Sequence, residues 1–135
     1  MYKDILKTPA DLGITDRIKF LGFVPKDKLA TLLSGAIALI QPSLWEGFGI
    51  PVVEAMASGT PVIVSNVSSL PEVVGEAGIL VDPYSVGQTE QAIRLIATDS
   101  KLRQKYSRAG LLQAKKFSRE KMAKTVLKEF EKLNP

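Results

Sequence analysis

The chain has 135 residues, of which 45% are hydrophobic and 24% charged, and this composition is typical of one globular domain. It contains no Cys and no His, which excludes a disulfide framework, a thiolate nucleophile, an imidazole base and the usual zinc sites. No apolar run approaches the roughly 18 residues of a membrane span, and the N-terminus is not a secretory signal, so we expect a cytoplasmic protein.

The net charge of +4 is unevenly distributed along the chain. Residues 1–99 carry 7 Lys and Arg against 11 Asp and Glu, whereas residues 100–135 carry 11 against 3. A basic tail of this kind can contact an anionic membrane surface or nucleic acid. Its basic residues alternate with apolar ones at helical spacing, so we favour a solvated helical face. We expect no nucleic acid partner, and peripheral membrane contact by the tail stays open.

Four apolar runs predict strands, at residues 17–24, 37–42, 61–65 and 78–81. The stretches around them predict helices, at residues 2–12, 28–34, 50–58 and 69–75. Continuous apolar runs separated by short helices are typical of a parallel sheet that is covered on both faces. We therefore predict an α/β fold with a parallel sheet of about four strands, as a single domain over residues 1–135.

Residues 84–135 are predicted to form a helical tail of the same domain. Its helices are expected at residues 86–98, 100–116 and 118–133. Polar residues at the expected helix starts predict N-caps, at Asp27, Ser69, Ser100 and Ser118. The last helix carries an apolar stripe that we predict to be core rather than a cofactor site, made of Met122, Val126, Leu127 and Phe130.

Residues 42–62 are the stretch that ordinary packing explains least well. Gly47 and Gly49 predict a turn whose backbone can approach a ligand closely, while Pro51 suits the first turn of a helix and Gly59 its end. The helix is apolar nearly all round, which predicts burial on most sides, yet it contains Glu54. A buried carboxylate needs a cation or hydroxyl donors as partners.

A second carboxylate, Glu46, lies eight positions before Glu54, in the loop that precedes the helix. The main-chain N–H groups of this loop lie between the two glutamates, and a helix N-terminus with glycines before it can bind an anion. This order suits a ligand made of sugar hydroxyls, phosphates and ribose hydroxyls. For Glu54 taken alone, a tight strand-to-helix turn with a first-turn carboxylate explains the pattern equally well.

The sequence EGFGIPVVEAMASGTPV, residues 46–62, resembles the E-x7-E signature of the retaining glycosyltransferases of family 4. The resemblance extends forwards to residue 83 and backwards to residue 17, and nearly all of the chain is similar in kind to one domain of these enzymes. These enzymes have the GT-B fold of two facing Rossmann-like domains. The resemblance implies a truncated form of the C-terminal, donor-binding domain, with a nucleotide diphosphate sugar as substrate and with no cofactor or metal held by this chain.

The resemblance also implies a role for each matching residue. Glu46 is expected to be the catalytic residue that hydrogen-bonds the donor sugar, and Glu54 is expected to bind the ribose hydroxyls. The other expected substrate-binding residues are Val24, Gly47, Phe48, Gly49 and Ile50. The loop amides would meet the sugar and the diphosphate, and the main chain at Val24 would meet the base. From the residue alone, a core valine at a strand end explains Val24 equally well.

Two strand-helix units that begin the family's C-terminal domain are absent from this sequence, as is the acceptor-binding N-terminal domain. In the usual doubly wound strand order, the strand at 37–42 is then unpaired on one side, and such an edge tends to pair. We hypothesise that strand 17–24 moves to pair with it, giving a four-stranded sheet with a hydrophobic edge for self-association. Alternatively, another copy of the chain or a partner such as the missing domain fills the gap.

We therefore predict the donor-binding part of a glycosyltransferase that moves a hexosyl group from a nucleotide diphosphate sugar to an acceptor hydroxyl with retention, and that is inactive alone. The alternatives are a non-catalytic nucleotide-sugar-binding or self-association module, and a domain that associates with membranes through its basic tail. Glycoside hydrolysis is rejected because an acid inside a buried helix cannot reach a scissile bond. Ser68 and Ser69 replace two glycines frequent in the family, but the turn and the cap are retained.

Overall fold

The computed structural model describes residues 2–133, in which helices and short strands alternate in the middle and helices alone form both ends. The helices are α1 (Tyr2–Asp11), α2 (Lys26–Ser34), α3 (Ile50–Ala57), α4 (Leu70–Val74), α5 (Val86–Thr98), α6 (Ser100–Ala114) and α7 (Arg119–Leu133). The strands are β1 (Leu39–Gln41), β2 (Val62–Ser65) and β3 (Ile79–Val81), and a single 3-10 turn covers Thr15–Arg17.

The strands form one parallel sheet in the order β1-β2-β3. Leu39 pairs with Val62, and Ile63 pairs with Ile79. All residues of the central strand β2 are buried. The predicted α/β fold with a parallel sheet is therefore confirmed, although the described residues form three strands instead of about four.

Each face of the sheet packs against its own cluster of apolar side chains. Val62 and Val64 of β2 belong to a cluster with Met56 of α3 and with buried residues of α4. Ile63 belongs to a second cluster, with Ile96 of α5. Successive strand side chains point to opposite faces, so a strand covered on both sides needs a continuous apolar run.

The predicted strand at 17–24 is wrong, because residues 18–24 form no strand. Their apolar side chains are largely exposed, and Phe23 is 90% exposed. β1 accordingly lies at an edge of the sheet, and none of the described residues pairs with its outer side. The hypothesis that segment 17–24 pairs with β1 is therefore also wrong. A strand needs both backbone pairing and a core for its apolar side chains, and in the described part of the chain the apolar side chains of this segment stay exposed.

The predicted apolar stripe of the last helix is present, but it is not core. Met122, Val126, Leu127 and Phe130 of α7 are all exposed, and Phe130 is 66% exposed. No element within residues 2–133 covers this face, so the spacing identifies an amphipathic helix without its packing partner. None of the described helices combines the length and the apolar character that crossing a membrane requires.

The predicted helix caps are confirmed only in part. The Ser118 hydroxyl accepts a hydrogen bond of 3.0 Å from the amide three residues later, at the start of α7. Asp27 lies inside the first turn of α2 instead of capping it. At α6 the cap is Asp99 instead of Ser100, since the Asp99 carboxylate accepts from the Leu102 N–H at 2.9 Å.

Candidate functional site

The loop between β1 and α3, residues 42–49, lies beside the loop that follows β2. Parallel strands bring their carboxyl ends to one edge of a sheet, where α/β proteins commonly bind ligands. Hydroxyl groups fasten the two loops together. Ser65 Oγ donates to the main-chain carbonyl of Ser43 at 2.6 Å. Ser68 Oγ and Ser69 Oγ both donate to the carbonyl of Glu46, at 2.6 and 3.1 Å.

Ser69 was predicted to cap α4 in a capping box, and this prediction is wrong. Ser69 precedes α4, but its side chain makes no capping hydrogen bond to the helix. Its hydroxyl is directed at Glu46, 23 residues away in the sequence. The capping box was predicted from residues that are neighbours in the sequence. In the folded chain the Ser69 hydroxyl instead donates to the carbonyl of Glu46.

The Glu46 carboxylate is held in a defined orientation. Its Oε1 atom accepts from Gln41 Nε2 at 2.7 Å and from Ser43 Oγ at 2.9 Å. Oε2 accepts no hydrogen bond from the described residues, and the side chain is half-buried. A carboxylate that is fixed through one oxygen keeps the other available to accept from a ligand hydroxyl.

The turn into α3 requires glycine at position 49. Gly49 has φ of 94°, and a Cβ there would lie 2.6 Å from Leu70 Cδ2. Within the described residues, the main-chain N–H groups of positions 47–50 donate no hydrogen bond. These donors lie at the N-terminal end of α3, where the helix dipole favours negative charge.

Glu54 lies on the exposed side of α3, between Ile50 and Pro51 around the helix axis. Val52, Ala55 and Met56 form the fully buried face, whereas Ile50 is 62% exposed. The prediction that α3 is buried on most sides is therefore wrong, and Glu54 is half-buried. Its carboxylate makes no hydrogen bond or ion pair with any residue of the described range.

Glu54 faces a cleft of about 650 Å³ between α3 and the start of α7. Its lining is mainly apolar and includes the side chains of Phe48, Ile50, Val53, Glu54, Lys116, Phe117, Ser118, Lys121, Met122, Thr125 and Val126. The ring of Phe48 meets that of Phe117 edge-on, with centroids 5.5 Å apart. Lys116 and Lys121 also line the cleft, but neither forms an ion pair with Glu54, so the expected cation or donor partner of this carboxylate is not found among the described residues.

The predicted site residues are brought together only partly. Phe48, Ile50 and Glu54 line the cleft, whereas Glu46 lies outside it, near the end of β1. Val24 precedes α2, is half-buried, and shares no hydrogen bond with the 42–49 loop. No group of three or more Asp or Glu side chains in the described range is arranged to hold a metal ion.

Sequence reasoning missed the residues that hold the loop. Gln41 and Ser43 bind the Glu46 carboxylate, and Ser65 and Ser68 bind the loop backbone. The available signal was the presence of polar residues at the carboxyl ends of two predicted neighbouring strands, which meet at one sheet edge.

A family model described as Glycosyl transferases group 1 matches residues 2–113. The chain belongs to this family. This glycosyl transferases group 1 chain is 46% identical to O-antigen chain mannosyltransferase B of Escherichia coli over 101 residues. The aligned region covers 75% of this chain and 26% of that protein. It therefore spans about a quarter of the length of that curated relative.

Two solved structures share the fold of this chain. Sucrose-phosphate synthase from Thermosynechococcus elongatus superposes with a TM-score of 0.90 at 30% identity, covering 97% of this chain and 34% of that chain. The C-terminal domain of the Francisella tularensis glycosyl transferase group 1 protein LpcC gives a TM-score of 0.75 at 30% identity, covering 85% of this chain and 60% of that chain. The chain is thus a partial Rossmann-like domain of the GT-B type.

Proposed function

We propose that this chain is the donor-binding part of a glycosyltransferase that moves a hexosyl group from a nucleotide diphosphate sugar to an acceptor hydroxyl with retention. The observation that carries the proposal is the loop from β1 to α3. It presents a fixed carboxylate, then main-chain N–H groups without acceptors among the described residues, then the half-buried Glu54. This is the order in which a sugar, a diphosphate and a ribose follow one another in such a donor.

Each part of the loop has a proposed role. Glu46 accepts from a hydroxyl of the donor sugar through Oε2, the oxygen not used by Gln41 and Ser43. The N–H groups of Gly47, Phe48, Gly49 and Ile50 donate to sugar and phosphate oxygens at the positive end of α3. Fixed donors near the leaving diphosphate stabilise the charge that develops in the transition state.

The remaining roles concern the nucleoside. Glu54 accepts from the ribose hydroxyls, which supplies the partners that its carboxylate lacks among the described residues. The main chain at Val24 meets the base. We propose mannose as the first sugar to test, because the Escherichia coli relative is a mannosyltransferase.

Calorimetric titration of the purified chain with GDP, UDP, GDP-mannose and UDP-glucose tests the proposal. One of these ligands should bind, and Glu54→Gln should weaken its binding about tenfold, since a hydrogen bond to a charged group contributes about 1.5 kcal/mol or more. Glu76→Gln is the matched control, because Glu76 is exposed and precedes β3. It therefore lies at the amino ends of the strands, whereas the candidate site lies at their carboxyl ends. Equal loss in both variants, or no binding by the wild type, would reject a donor site.

We further propose that the chain does not transfer sugar by itself. It aligns with about a quarter of its curated relative, and the acceptor site would be supplied by a separate domain. Transfer should be undetectable with the chain alone and should appear when an N-terminal half of a relative is added. Turnover by the chain alone would contradict this part of the proposal.

Self-association is the second candidate function. It is favoured by the unpaired side of β1 and by the exposed apolar face of α7. Light scattering across a hundredfold range of concentration should then show a mass that rises above that of one chain. A constant monomer mass would remove this candidate.

A further inference from the structure

We infer that Ser68 is a positioning residue for Glu46, and this inference rests on the proposed role of Glu46 in sugar binding. Ser68 Oγ donates to the Glu46 carbonyl at 2.6 Å and accepts from the Glu46 N–H at 3.1 Å. A hydroxyl can do both, because it carries one donor hydrogen and two acceptor lone pairs. One side chain therefore binds both polar groups of the Glu46 main chain.

These two hydrogen bonds determine the direction of the Glu46 side chain. The N–H belongs to the peptide plane before Glu46, and the carbonyl belongs to the peptide plane after it. Because peptide planes are rigid, holding both of them fixes φ and ψ of Glu46 and hence the direction of its Cα–Cβ bond. Gln41 and Ser43 hold the far end of the side chain through Oε1. Glu46 is thus held both at its main chain and at its carboxylate.

Ser69 does not duplicate this arrangement. Its hydroxyl bonds only the Glu46 carbonyl, at 3.1 Å, and so restrains one peptide plane. Ser65 restrains the carbonyl of Ser43, three residues before Glu46. Among the residues that the structure describes, Ser68 alone bonds both sides of Glu46.

The backbone of Ser68 supports a functional role for its hydroxyl. Ser68 has φ of 60°, and it is the one non-glycine residue with positive φ in the described range. A side chain is disfavoured in this left-handed region, where glycine is the usual residue. Backbone strain of this kind persists where surrounding contacts impose it, and it concentrates at functional sites. Serine at this position has a strained backbone, which glycine would avoid, but it supplies the hydroxyl that holds Glu46.

Two variants separate the hydroxyl from the backbone strain. Ser68→Gly removes the hydroxyl and relieves the strain, whereas Ser68→Ala removes the hydroxyl and retains the strain. Both should speed hydrogen exchange of the Glu46 amide in the ligand-free chain by about tenfold, the effect of losing one ordinary hydrogen bond. The melting temperature should be lower for Ser68→Ala than for Ser68→Gly, because only the alanine variant keeps a side chain at positive φ. Ser34→Ala is the control, because its hydroxyl bonds only the Thr31 carbonyl within α2.

Ligand binding distinguishes positioning of Glu46 from a general loss of structure. Both variants should weaken binding of the nucleotide sugar by about tenfold, and binding of the matching free nucleoside diphosphate by less than about twofold. The two ligands should differ because Glu46 contacts only the sugar. Equal weakening of both ligands, or unchanged exchange of the Glu46 amide, would overturn the inference. If the wild type binds no nucleotide sugar, the proposed function fails, and exchange of the Glu46 amide alone then decides whether Ser68 holds Glu46.

Discussion

The ring of Phe48 stands edge-on to the ring of Phe117, with an interplanar angle of 81°. Phe48 belongs to the loop between β1 and α3, and Phe117 to the turn between α6 and α7. This contact therefore joins the candidate donor loop to the last part of the chain. It also forms part of the wall of the cleft that Glu54 faces.

Phe117→Ala should lower the free energy of unfolding by about 2 kcal/mol, which is less than for a fully buried ring because Phe117 is half-buried. Phe117→Leu should lower it by about 1 kcal/mol, because it keeps apolar volume and loses the edge-on contact. Urea denaturation measures both values. A double-mutant cycle with Phe48→Ala that shows no coupling would contradict a direct contribution of the ring pair.

Gly49→Ala should destabilise the chain by about 2 kcal/mol or more, because it combines a positive φ with a Cβ 2.6 Å from Leu70 Cδ2. Gly47→Ala is the matched control two residues away, since a Cβ at Gly47 meets nothing within 4 Å. Thermal denaturation compares the two variants. Equal stability of both would show that Leu70 moves aside without cost and that the loop tolerates a different turn.

Deletion of residues 120–133 should change the free energy of unfolding by less than about 1 kcal/mol, because every residue of this segment is exposed and no apolar side chain leaves a core. The expected readout is an unchanged urea midpoint with a smaller helical circular dichroism signal. A longer deletion that also removes Phe117 should cost more, through loss of the ring contact with Phe48. A large loss of stability from the shorter deletion would mean that α7 packs against the chain in solution.

Local sequence patterns were sufficient for much of the sheet and for α3. The runs at 37–42, 61–65 and 78–81 contain β1, β2 and β3, and the helix predicted at 50–58 is α3. These elements form where an apolar run or a Pro and Gly pair limits the backbone choices. The E-x7-E pattern likewise placed Glu46 in the loop and Glu54 on the helix, while their proposed roles stay predictions.

The same patterns failed where a partner surface was needed. Segment 17–24 and the stripe of α7 have the spacing of buried elements, and both are exposed in the described chain. The spacing of apolar residues predicts which side chains favour burial, but it does not predict which other element covers them. The predicted burial of α3 on most sides failed for the same reason, since Ile50, Pro51 and Ala57 face solvent in the described chain.

The sequence by itself determined that the chain is a parallel α/β domain with a glycine-rich loop between two glutamates, because propensity, turn residues and apolar runs act over a few residues. Only the tertiary structure decided how Glu46 is held. Ser68 and Ser69 lie 22 and 23 residues from Glu46, and their hydroxyls reach it because β1 and β2 are parallel neighbours whose carboxyl ends share one edge. Hydrogen-bond partners at that separation are set by the pairing of the strands, which no local pattern encodes.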